Sequence, residues 1–124
     1  MTFHTVDSNE LERFQNAGFL VVPGVLSEDL CAQLRRAINT DLEKRVGPAE
    51  FEADVGYPGA PAARDGAGGD TPRRLLQAYA RNNSFKSLAE HPVLVRWLKV
   101  LLDSAQTMLS QCHHNCVMTK HPGY

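Results

Sequence analysis

Two cysteines and two histidines crowd into five residues, Cys112-His113-His114-Asn115-Cys116. Thiolates and imidazoles are good zinc ligands, so the first chemistry this pattern suggests is a small zinc site spanning Cys112–Cys116. The surrounding residues argue against it. From Met108 to Thr119 the apolar residues follow no helical period, and two-residue alternation fits better. On a strand, at about 3.3 Å per residue, Cys112 and Cys116 stand roughly 13 Å apart and cannot share one ion. His113 and His114 would point to opposite faces. Only a helix or a tight knuckle would gather the four side chains, and no second pair of ligands lies elsewhere. A thiolate nucleophile activated by a neighbouring imidazole meets the same objection, because adjacent strand residues face apart. Gly66, Gly68 and Gly69 lack the strand-to-helix setting of a phosphate-binding loop.

As a strand, the segment sorts its side chains usefully. One face carries Gln111, His113, Asn115, Val117 and Thr119; the other carries Cys112, His114, Cys116, Met118 and Lys120. The second face is soft and largely apolar, suited to packing on helices. The first is mostly hydrogen-bonding, which is costly in a dry core but useful on the wall of a wet or ligand-filled cavity. A Pro-Gly turn, Pro122-Gly123, closes the run.

The elements that would position this strand lie upstream. Ser8 can cap a helix from Asn9 to Ala17, with Gly18 as its stop. Phe19 to Val22 is β-prone and closed by Pro23-Gly24. Ser27 caps a second helix, on which Leu30, Leu34, Ile38 and Leu42 repeat every fourth residue with Cys31 as small core filler. From Val46 to Pro72 glycine, proline and alanine dominate and the apolar period vanishes. This predicts a mobile loop, a surface insertion or a lid carrying Phe51 and Tyr57. Asp70 or Thr71 can cap a third helix with Pro72 at its first position and Leu75, Leu76 and Tyr79 as its stripe. Ser84 can start a further short helix. Pro92 to Leu102 is apolar almost all round, save Arg96, Lys99 and Asp103, and calls for burial on most sides.

Composition sets the outer bounds. The 124 residues suffice for one domain. A formal net charge of -1 gives no attraction to nucleic acid or to an anionic membrane. The apolar runs are too short to span a bilayer. The acidic N-terminus is unlike a secretory leader, and three cysteines make no complete disulfide framework, so a reducing cytoplasmic setting is expected.

Two segments resemble phytanoyl-CoA dioxygenase-type proteins: FQNAGFLVVPGVLSEDLCAQLRRAI at the start, and LLQAYARN followed by QCHHNCVMTKHPGY at the end. The resemblance implies an α+β fold, an N-terminal helical layer on the first strands of a double-stranded β-helix (jelly roll, cupin-like). It also implies an oxygenase using Fe(II) and 2-oxoglutarate to hydroxylate a small organic substrate. In that family iron is held by a His-x-Asp pair and a distal His. A facial triad of this kind leaves positions open for 2-oxoglutarate and O2. The residues matching the cosubstrate wall are Asn115, Val117 and Thr119, with Gln111 and His113 further along. No His-x-Asp occurs here: two places after His4, His91, His113, His114 and His121 stand Val6, Val93, Asn115, Cys116 and Gly123. The expectation is therefore an N-terminal portion of a dioxygenase that binds neither cofactor tightly alone and gives no turnover. Its partner would be the missing half, or a second copy joined through the C-terminal strand, which leaves a non-enzymatic interaction module as the alternative.

Overall fold

The computed structural model describes residues 5–110 and 115–122. Three of its helices begin where a neighbouring side chain satisfies an orphan amide. In α1 (Ser8–Ala17) that residue is Asp7, one position before the expected cap. Its carboxylate accepts from the Glu10 amide at 2.8 Å while the Glu10 carboxylate accepts from the Asp7 amide at 2.9 Å. The helix ends at Gly18, whose positive φ of 78° lets its N–H turn back to the Phe14 carbonyl at 2.8 Å. In α2 (Glu28–Glu43) the Ser27 hydroxyl accepts from the Leu30 amide at 3.2 Å, as the sequence predicts. Leu34 is the position of its apolar row that is buried, and Cys31 is half-buried.

Several expectations differ from the structure. Phe19 to Val22 has strand-forming residues but finds no ladder; Phe19 and Val21 are exposed. The 46–72 stretch holds strand β1 (Ala49–Phe51) and a 3-10 turn, Glu52–Asp54. The predicted third helix is strand β2 (Pro72–Leu76), followed by only one helical turn, α3 (Ala78–Arg81). Leu75, Leu76 and Tyr79 fit a helical stripe as well as they fit a strand and the turn after it. Pairing on both edges of β2 decides the matter.

Helices α4 (Asn83–Ala89) and α5 (Pro92–Leu101) follow, α4 capped by Asn82, whose carboxamide oxygen accepts from the Ser84 amide at 2.8 Å. α5 buries Val93 and Trp97 but leaves Leu98 and Val100 exposed, so the all-round burial expected of it is not met among the described residues. Strand β3 (Cys116–Met118) is far shorter than the predicted Met108–Thr119 run. Residues 105–110 are irregular, and Gln111 to His114 lie outside the described residues.

The fold is thus α+β, with one antiparallel sheet in the order β1-β2-β3. Leu75 lies opposite Ala49 on one side and Val117 on the other, and Arg74 lies opposite Glu50 and Met118. The core is Leu34, Phe51, Leu75, Phe85, Val93 and Trp97. Against Phe51 lies Arg64, its guanidinium 3.5 Å from the ring centre while its fork grips the Asp54 carboxylate at 2.9 and 2.7 Å. The loop closes tightly beside it: a Cβ on Gly69 would stand 1.9 Å from the Ala63 carbonyl oxygen. No helix among the described residues is long and apolar enough to cross a membrane.

Candidate functional site

Directly paired residues in an antiparallel sheet share a face, so the register assigns the side chains of β3. Val117 shares the face of Leu75, which is fully buried, and Met118 shares the face of Arg74 and Glu50 and is 58% exposed. Asn115, Cys116 and Val117 line a cavity of about 380 Å³ together with Leu34 and Ile38 of α2 and Phe85 and Leu88 of α4. The helix layer therefore covers the Val117 face and leaves the Met118 face open. The sequence expects the reverse. The reason is Leu75: an apolar partner across the ladder draws Val117 to the core side, while Arg74 holds Met118 on the polar one.

The other expected wall residues are engaged within the protein. Asn115 accepts from the Ala78 amide through its main-chain carbonyl at 3.0 Å and from the Tyr79 amide through Oδ1 at 3.1 Å. It thus caps α3 from a distant part of the chain, where the preceding Gln77, at φ 55°, makes no side-chain cap. Thr119 donates its amide to the Arg73 carbonyl at 3.0 Å and its hydroxyl to the Pro72 carbonyl at 2.7 Å, which pins the end of β3 to the start of β2. Gln111 and His113 lie outside the described residues.

Arg81 reads in the sequence as the polar end of a helix, and its neighbours give no sign of a larger role. Its side chain is 4% exposed. Nε donates to the Leu76 carbonyl at 2.7 Å, Nη1 to Asp41 Oδ2 and to the Val46 carbonyl at 3.0 Å each, and Nη2 to the Pro48 carbonyl. One guanidinium thereby joins the end of α2, the entry to β1 and the exit of β2. Five donors in a rigid fork permit this; a lysine would not.

The face of Glu50 and Arg74 carries the densest charge. Glu52 is 6% exposed, accepts from the Tyr57 hydroxyl at 2.6 Å and from Arg73 Nη1 at 3.3 Å. The Tyr57 hydrogen bond does most to hold its carboxyl below the ordinary range; Arg73 and the charge of Lys120 act in the same sense and burial opposes them. Asp54 is lowered too, chiefly by the Arg64 fork, with the Phe51 amide at 2.9 Å adding to it. On the helix side, the Tyr79 hydroxyl donates to Glu90 at 2.5 Å, and that bond raises the phenol above its usual value.

Among the described residues no group of three or more His, Cys, Asp or Glu side chains is placed to hold an ion. The donor set does not fit the iron of the family, and the Cys112–Cys116 zinc pattern falls mostly outside the described residues. Cys31 and Cys116 are free thiols.

No curated protein and no solved structure matches the chain. A family profile described as phytanoyl-CoA dioxygenase (PhyH) matches residues 14–124. That span includes α2, the three strands, the Arg81 junction and the charged face, and the observed α+β architecture agrees with part of such a fold. The chain belongs to the phytanoyl-CoA dioxygenase (PhyH) family.

Proposed function

We propose that this chain supplies the helical layer and one wall of an Fe(II)/2-oxoglutarate-dependent oxygenase acting on a small organic molecule. The observation that carries the reading is the family match across residues 14–124. Iron and 2-oxoglutarate are what the family supplies to the chemistry. Among the described residues no group of three or more His, Cys, Asp or Glu side chains is placed to hold an ion, and in this reading those residues contribute shape and position.

In this reading the reaction side of the sheet is the face that the helices leave open, the side on which a second sheet would complete a jelly roll. Asn115 and Val117 then line the helix-side cavity, Asn115 also anchoring α3, and Thr119 fastens β3 to β2.

The test is 2-oxoglutarate consumption with added Fe(II) and ascorbate. The 124-residue chain alone should not exceed a metal-only blank, and addition in trans of a half bearing His-x-Asp from a family member should raise it. Turnover by the chain alone would show that iron is held by residues assigned no such role here.

A second reading is favoured by one feature. β3 pairs only with β2 among the described residues, and its Met118 is exposed. An open strand edge invites strand addition, so the chain can instead be an interaction module that pairs with a second copy. Sedimentation over a range of concentrations separates the two: a monomer throughout removes this alternative.

A further inference from the structure

The helix layer holds two adjoining cavities. The first, about 380 Å³, lies among Leu34, Ile38, Phe85, Leu88 and Val117 and has no charged group among its described lining residues. The second, about 550 Å³, is bounded by Glu90, Val95, Thr107 and Met108. Tyr79, Ala89 and Leu109 line both, so the two share a wall. Both volumes fall within the range of about 300–1,000 Å³ typical of small-molecule sites. The wall is fixed at two ends. Asn115 takes the Ala78 amide at 3.0 Å and the Tyr79 amide at 3.1 Å, which ties the backbone of Tyr79 to the approach to β3. At the tip of the same side chain the Tyr79 hydroxyl donates to Glu90 Oε1 at 2.5 Å, where α4 ends.

The two cavities suit opposite halves of one molecule. Among the described residues lining either of them, Glu90 is the charged one, and it is exposed. Lys86 stands 5.8 Å from the centre of the Tyr79 ring but lines neither cavity. An ionised carboxylate only accepts hydrogen bonds and attracts positive charge, so it favours a cationic donor and disfavours an anion. The first cavity offers hydrocarbon contact instead. An apolar cavity of about 150 Å³ stays dry and takes benzene, so one more than twice that size has room for a chain of about six to ten carbons.

We propose that the helix layer binds a small aliphatic amine, its chain in the apolar cavity and its ammonium at Glu90 beside the Tyr79 hydroxyl. An occupant would touch Phe85 and Leu88 of α4 and Val117 of β3 at once, and so would brace the helix layer against the sheet. The site lies on the side of the sheet away from the reaction face proposed above and does not depend on that reading.

The experiment uses the 124-residue chain. Methyl resonances of Ile38 and Val117 are followed by NMR at neutral pH while hexylamine, butylamine, 1-hexanol or hexanoate is added, with sodium chloride as the ionic-strength control. The expected result is a saturable shift with hexylamine. Butylamine should bind about tenfold more weakly, because two methylenes leave the apolar cavity. Hexanoate should also be about tenfold weaker, because its charge meets that of Glu90. Glu90→Gln should weaken hexylamine about fivefold, the modest effect of an exposed ion pair, and leave 1-hexanol unchanged. Ala89→Leu, which fills the shared wall, should abolish binding; should that variant not fold, Glu90→Gln carries the test, because its side chain is exposed. Absence of a saturable shift, equal binding of the two amines, hexanoate binding as well as hexylamine, undiminished hexylamine binding in Glu90→Gln, or binding retained by a folded Ala89→Leu would each overturn the proposal. No turnover enters the measurement, so its failure leaves the oxygenase reading standing, and failure of the turnover assay leaves the amine site standing.

Discussion

Replacing Arg81 with methionine keeps the aliphatic stem and removes the guanidinium, which takes four hydrogen bonds from the Leu76, Val46 and Pro48 carbonyls and Asp41, although the Pro48 carbonyl keeps the Leu76 amide at 3.0 Å. Hydrogen bonds to a charged group contribute about 1.5–3 kcal/mol each. Four of them would sum to roughly 6–12 kcal/mol, but that gross figure overshoots, because water replaces part of what is lost. Asp41 is 18% exposed and can recover some hydration, whereas the side chain of Arg81 is 4% exposed. Breaking a buried ion pair from one side costs about 3–5 kcal/mol, and we expect that range. Against a typical domain stability of about 5–15 kcal/mol, this removes a large share. Urea unfolding followed by circular dichroism should show the midpoint falling with little change in slope. Arg81→Lys, which retains charge but not the fork, should recover about half of the loss. Asp41→Asn should cost only about 1–2 kcal/mol, because the three carbonyl contacts persist. If Arg81→Met lies within about 1 kcal/mol of the unmodified chain, the junction is not what joins α2 to the sheet and the argument fails.

Further outcomes follow from the same contacts. Asn115→Ala removes the acceptor of the Tyr79 amide and should cost about 1 kcal/mol, visible as faster hydrogen exchange at Tyr79 than at amides of α2. Glu52 and Asp54 both have lowered folded-state pKa values, so their contribution is fully present above the ordinary carboxylate range and is lost as pH falls through the folded values. Tm should therefore drop below about pH 4, and Glu52→Gln should flatten that drop while lowering Tm at neutral pH. Gly69→Ala would drive a Cβ into the Ala63 carbonyl, a backbone atom that cannot swing aside. A loss of about 1–3 kcal/mol by urea unfolding is expected, and no loss would mean that the 63–69 turn is built otherwise.

Legibility in the sequence divides along the range of the forces involved. α1, α2 and α5 could be read directly, because caps, helical period and a proline at the first turn act within a few residues of the backbone they organise. Even there the local contest between Asp7 and Ser8 turned on which residue had Glu10 three places ahead. The family could also be read, because it lies in residue order, and the family match bears that out.

What lay beyond reach depends on residues far apart in the chain. Phe19 to Val22 and Pro72 to Leu76 are both short and partly apolar. The first found no partner and stayed outside the sheet; the second was paired on both sides and became the central strand. Intrinsic preference over so few residues is weaker than two ladders of hydrogen bonds. The facing of Val117 and Met118 was set by Leu75 and Arg74, more than forty residues earlier. The same is true of the two arginines of β2, turned to one side by a shift against Glu50, and of Arg81, whose four acceptors come from three separate segments. Alternation along a strand can be read from the residues alone. Which face becomes the interior is decided only when another strand lies beside it, because burial is a property of neighbours and not of the strand itself.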